Sequence, residues 1–105
     1  MWNPSLFAAK GALFLDQHGP REWHKMVKSS SLHMSMCDSC ILGQLYRSFA
    51  NGKRHLSLTR EETISLGFWL SFVRGFLLLG YFRLGLAWKR ELASRASHQS
   101  MDRLL

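Results

Sequence analysis

The chain has 105 residues, 47% hydrophobic and 20% charged, which is enough for one core and too short for two domains. Two cysteines cannot build the disulfide framework of a small secreted scaffold, and Met1-Trp-Asn-Pro4 carries no basic segment or small-residue cleavage site; the cytoplasm is the expected compartment. The net charge of +7 is uneven, with five basic and three acidic side chains in residues 1–52 against nine and four in 53–105, an excess that favours anionic partners without choosing among nucleic acid, acidic protein and anionic lipid.

The first helix is strongly signalled. Asn3 can cap it, Pro4 suits its first position, and Leu6, Phe7, Leu13 and Phe14 follow at helical spacing, with Gly11 a mild weakness in the middle. His18-Gly19-Pro20 predicts a stop, with the glycine in the left-handed conformation. Pro20 then suits the start of a short second helix holding Trp23, Met26 and Val27, ended by Lys28-Ser-Ser-Ser31. Leu32-His-Met-Ser-Met36 alternates apolar and polar residues as a connector.

The stretch Met36–Phe49 reads as the central, buried helix. Ser35 is its expected cap, Asp38 falls in its first turn, and Cys37, Ile41, Leu45 and Phe49 recur at i, i+4. Asn51-Gly52 is its expected end, and Lys53-Arg-His55 a basic turn. Thr59-Arg-Glu-Glu62 is a capping box opening a short helix that ends near Gly67.

From Phe68 the pattern changes. Residues 64–82 hold 13 apolar residues in 19, with Arg74 at the centre, where a charge makes a membrane span costly; a buried helix or strand-turn-helix is the favoured reading, with a span or a membrane-surface segment as the alternatives. Beyond, Leu77, Tyr81, Leu84, Trp88 and Leu92 form one stripe, Arg83 and Arg90 lie opposite, and Glu91 pairs with Arg95 at i, i+4. Residues from Ser94 onward read as fraying. The expected fold is mostly α: a compact single-domain bundle of about four to five helices over residues 1–96, with room for a short strand pair near 68–75 and a frayed tail at 97–105.

Three segments carry a resemblance: Gly11-Ala-Leu-Phe-Leu-Asp16 followed by Pro20 and Trp23; Leu32-x-Met-x-x-Cys37-x-x-Cys40-Ile-Leu-Gly-Gln-Leu-Tyr46; and Leu66-Gly-Phe68 with Leu84-x-x-Ala-Trp-Lys-Arg-Glu-Leu92. In this order they resemble a family of small uncharacterised proteins of actinobacteria and their bacteriophages. The resemblance implies a small helical cytoplasmic protein, often phage-encoded and then placed in the host cytoplasm, and it implies no activity. Trp69–Phe82 departs from that pattern, being more apolar here.

The chemistry concentrates at Cys37-x-x-Cys40. Free cysteines are among the most buried residues, so packed core thiols are the favoured reading. The same spacing suits two zinc ligands, with His33 as the nearest third or with a second copy completing an all-thiolate site. His33, Met34, Met36, Cys37 and Cys40 together are a soft-donor set of the kind Cu(I) accepts, and thiols at a helix start can be redox-active. No cofactor is required by the pattern, zinc being the alternative.

No enzymatic constellation stands out. Lys53 and Arg54, with His55 and Arg60, and Arg83 and Arg90, with Lys89 and Arg95, are the candidate nucleic-acid contacts. Trp69, Phe72, Phe76, Leu78 and Phe82, with Arg74 at their rim, exceed what so small a core covers and are the candidate partner surface. The expected function is binding, to a host protein or to a second copy of the chain, with non-specific nucleic-acid binding, zinc binding and a single membrane span as the alternatives.

Overall fold

The computed structural model describes residues 3–70 and 78–104, with side chains described for 3–70 and 80–97. Among these are six α-helices and one 3-10 turn, and no strand. The strand pair expected near 68–75 is absent at 68–70, and its remaining residues lie outside the described ones.

Helix α1 (Pro4–His18) starts as its sequence predicts: Asn3 Oδ1 accepts from the amides of Ser5 (3.1 Å) and Leu6 (3.3 Å). Its end differs. The Gly19 amide donates to Leu15 O at 2.9 Å, but the glycine is extended (φ −82°, ψ 180°) rather than left-handed. Pro20 explains this, because its ring restricts the residue before it to extended conformations. Helix α2 (Trp23–Met26) begins three residues after Pro20, behind a turn in which Glu22 takes φ 58°. Trp23 and Val27 are buried and Met26 is exposed, so α2 offers a narrower apolar face than its spacing predicts. Ser29–Ser31 form the 3-10 turn.

The central helix is where sequence and structure part. Instead of one helix across Cys37–Phe49 there are two, α3 (Ile41–Tyr46) and α4 (Phe49–His55). Arg47 breaks them apart in the left-handed region (φ 76°), and Ser48 Oγ caps α4 by accepting the Asn51 amide at 3.1 Å. The break lets α4 fold back on α3. Gly52 is not a stop but the contact point inside α4, where a Cβ would stand 2.9 Å from Leu42 Cβ and 3.0 Å from Tyr46. Lys53, Arg54 and His55 are therefore the last turn of α4, where cations suit the helix dipole, and not a loop. Ser35 and Asp38 lie in turns that precede α3.

Helix α5 (Arg60–Ser65) carries the capping box: the Glu62 amide donates to Thr59 Oγ1 at 3.1 Å, and the Thr59 amide to Glu62 Oε1 at 2.9 Å. Helix α6 (Leu78–Leu104) runs 27 residues, continuing through the segment expected to fray from Ser94. Its buried stripe is Leu84, Trp88 and Leu92, with Tyr81 half-buried. No helix among the described residues is long and apolar enough to cross a membrane.

Helices α1 and α6 make the principal contact, and Gly11 sets its closeness. A Cβ there would run into the Leu66 carbonyl and stand 2.7 Å from the Trp88 ring, so this glycine is required rather than merely tolerated. Trp88 is fully buried and donates Nε1–H to Gly67 O at 2.7 Å. It stacks on Phe68 (5.6 Å, 17°) and meets Trp23 edge-on (6.1 Å, 86°), so one side chain ties α6 to α2 and to the turn after α5.

Candidate functional site

Residues 32–40, between the 3-10 turn and α3, are held by backbone bonds outside any helix. The His33 amide donates to Ser39 O (3.1 Å), the Met36 amide to His33 O (3.1 Å), and the Cys40 amide to Met36 O (3.1 Å). The Phe49 amide donates to Cys37 O at 2.8 Å, anchoring the loop to the start of α4. Gln44 locks it from α3: Nε2 donates to Lys28 O (3.2 Å) and Ser39 O (3.1 Å), while Oε1 accepts the Lys28 amide (2.7 Å). Within this frame Leu32 and Met34 turn inward and His33 and Ser35 outward, as their alternation predicts, but Met36, expected inward, is exposed.

The two cysteines have opposite surroundings. Cys40 is 1% exposed and is the N-cap of α3, its Sγ accepting the Gly43 amide at 3.3 Å. Burial pushes its thiol above the ordinary range, with the Gly43 and Leu42 amides opposing. Cys37 is exposed, one turn earlier and outside the helix, so the expected core role fits Cys40 and not Cys37. The reason is the late helix start: with α3 opening at Ile41, Cys37 no longer shares its face.

Two cavities flank this loop. A small, partly open one of about 50 Å³ is lined by Met34, Ser35, Met36, Cys37, Cys40, Phe49, Trp69 and Tyr81. A groove of about 300 Å³ lies between Leu32–Ser35 and the first half of α6, lined there by Tyr81, Phe82, Gly85, Leu86 and Lys89. His33 borders the groove and not the cavity holding both thiols. Among the described residues no three of His, Cys, Asp and Glu come together to hold a metal ion.

The candidate partner surface is redistributed. Phe82 is 63% exposed at the groove and Leu86, which sequence reasoning did not single out, is 41% exposed one turn on. Trp69 is half-buried, beside the Phe49 ring (6.1 Å) and beneath the Arg60 guanidinium (5.1 Å). Phe72, Arg74 and Phe76 lie outside the described residues, as does the side chain of Leu78. A period-four reading of α6 could have found Leu86, because it follows Phe82 by one helical turn.

The basic candidates fall into separate places. Lys53 and Arg54 border a shallow hollow with Ala50, Ser57 and Leu58. Arg83 and Arg90 border another, with Asn3, Pro4 and Ser5 at the start of α1 and with Leu86 and Ala87. Arg95 is engaged elsewhere, in ion pairs with Asp16 and Glu91. Arg60 is committed to the Trp69 face.

No family model, curated protein or solved structure matches this chain.

Proposed function

We propose that this protein is a binding module whose partner is an acidic, amphipathic segment of another protein, docked along the Phe82–Leu86 ridge of α6. The observation that carries this reading is the pairing of apolar exposure with positive charge on one helix. Phe82 and Leu86 stand out beside a groove floored by Leu32 and Met34, and Lys89, Arg83 and Arg90 border the same stretch of α6. Exposed aromatic and aliphatic side chains at a preformed groove are the usual anchors of an interface, and a charged rim selects the partner and speeds encounter. The net charge of +7 favours an acidic segment over a second copy, which would bring the same charge to the contact. A host protein of a phage and any other acidic partner are equivalent in this chemistry.

The test is a titration with two synthetic amphipathic helices of equal hydrophobicity, one acidic and one basic, alongside light scattering of the protein alone. Binding of the acidic peptide that weakens with salt and is lost in Phe82→Asp and Leu86→Asp, with the melting temperature unchanged, supports the reading. Equal binding of both peptides, or a dimer that those substitutions dissociate, would replace it. A duplex bound with a steep salt dependence, lost on reversing Arg83 and Arg90, would favour nucleic acid instead.

A further inference from the structure

The geometry points to a site for a soft monovalent metal ion, Cu(I) in its reduced form, in the cavity lined by Met34, Met36, Cys37 and Cys40. Four sulfur-bearing side chains border one space of about 50 Å³. That volume admits a few water-sized spheres, which suits an ion and excludes a metabolite. The other described residues of the wall are Ser35 and the aromatic Phe49, Trp69 and Tyr81. Among the described residues no carboxylate and no imidazole lines it; the nearest acid in sequence, Asp38, is exposed and accepts from the Ser39 hydroxyl at 3.1 Å.

This donor set selects by softness. Thiolates and thioethers favour Cu(I), whereas magnesium, calcium and manganese prefer oxygen, and a structural zinc site needs four thiolate, imidazole or carboxylate ligands. With His33 bordering the other cavity, one chain offers zinc two such ligands, while Cu(I) gains two thioethers as well. The loop's order supports the site before metal arrives. Cys40 is placed by the Gly43 amide, and Cys37 by its carbonyl's bond from the Phe49 amide. One thiol is buried and one is exposed, as are Met34 and Met36, giving an inner and an outer donor of each type and an entry path from the outer side. On binding, each thiol passes its proton to water as its sulfur bonds the metal, and no electron moves.

The experiment uses the reduced, full-length protein under anaerobic conditions. Cu(I) is titrated in competition with a chromophoric Cu(I) chelator, and Zn(II) in parallel with a zinc indicator. The expected result is one Cu(I) per chain withdrawn from the chelator, no comparable zinc binding, and X-ray absorption showing sulfur as the sole ligand type with more than two sulfurs. Cys37→Ser should abolish binding, and Met36→Leu should weaken it and lower the sulfur count. Both residues are exposed, so both variants should melt as the parent does. Failure to withdraw Cu(I), preference for zinc, or two-sulfur coordination unchanged in Met36→Leu would each overturn the assignment. The proposal is independent of the Phe82–Leu86 ridge, which the Cys37 and Met36 variants leave intact.

Discussion

Arg95 Nη2 donates to Asp16 Oδ2 at 2.7 Å across 79 residues of sequence, joining the last half of α6 to the end of α1. Arg95 Nε donates to Asp16 Oδ1 at 3.2 Å, and Trp23 Nε1–H donates to the same oxygen at 2.9 Å. The guanidinium also lies over the Trp23 ring at 5.5 Å and pairs with Glu91 at 3.2 Å. One two-pronged ion pair thus fixes three helices at a single point.

That cluster has a pH consequence. The hydrogen bond from Arg95, with the Trp23 indole assisting and desolvation opposing, holds the Asp16 carboxyl below its ordinary value of 3.8. A depressed carboxyl contributes stability that is complete above its unfolded value and is lost as pH falls through the folded one. Asp16 is substantially exposed, so screening limits the contribution to about 0.5–1 kcal/mol. Asp16→Asn should lower stability by that amount at pH 7 and flatten the loss below pH 4, measured by urea melts at several pH values.

Gly11→Ala should destabilise by about 1–3 kcal/mol, although alanine is the better helix former by about 1 kcal/mol. The added methyl meets the Leu66 carbonyl and the Trp88 ring; the first cannot retreat without lifting the turn after α5 off α1, nor the second without opening the α1–α6 contact. A neutral or raised melting temperature would mean that the two helices stand farther apart than described.

Arg47→Gly should raise stability, because a side chain at φ 76° costs about 1 kcal/mol that glycine avoids. If the central helix were continuous, the same change would lower stability by about 1 kcal/mol. The sign of the shift in thermal melting therefore tests the α3–α4 break directly.

The thiols should react in two phases. Cys37 is exposed and should be alkylated in the native protein, while Cys40, buried and with its thiol held protonated by burial, should react only on unfolding. Cys40→Ala should cost about 1–3 kcal/mol and Cys37→Ala little, by mass spectrometry after timed alkylation and by denaturant melts. Rapid modification of both thiols would place Cys40 at the surface.

The sequence by itself determined the local structure: helical class, the Asn3 and Thr59 caps, the alternation of Leu32 to Ser35, and the stripe through Leu84, Trp88 and Leu92. Those signals lie within a few residues of one another, so capping atoms and periodicity are enough to read them. Tertiary structure decided the rest. Residues 41–49 have no proline and an unbroken apolar spacing, yet the chain folds back at Arg47 because Gly52 lets α4 close on Leu42 and Tyr46. Gly11 looked like a weakness until Trp88 was seen across from it. Cys37 left the core because α3 starts four residues late, and His33 separated from the cysteines because the loop borders two cavities. The Asp16–Arg95 pair and the groove at Leu86 join segments far apart in the chain, and no local pattern encodes which of many carboxylates, guanidiniums or apolar faces will meet once the helices pack.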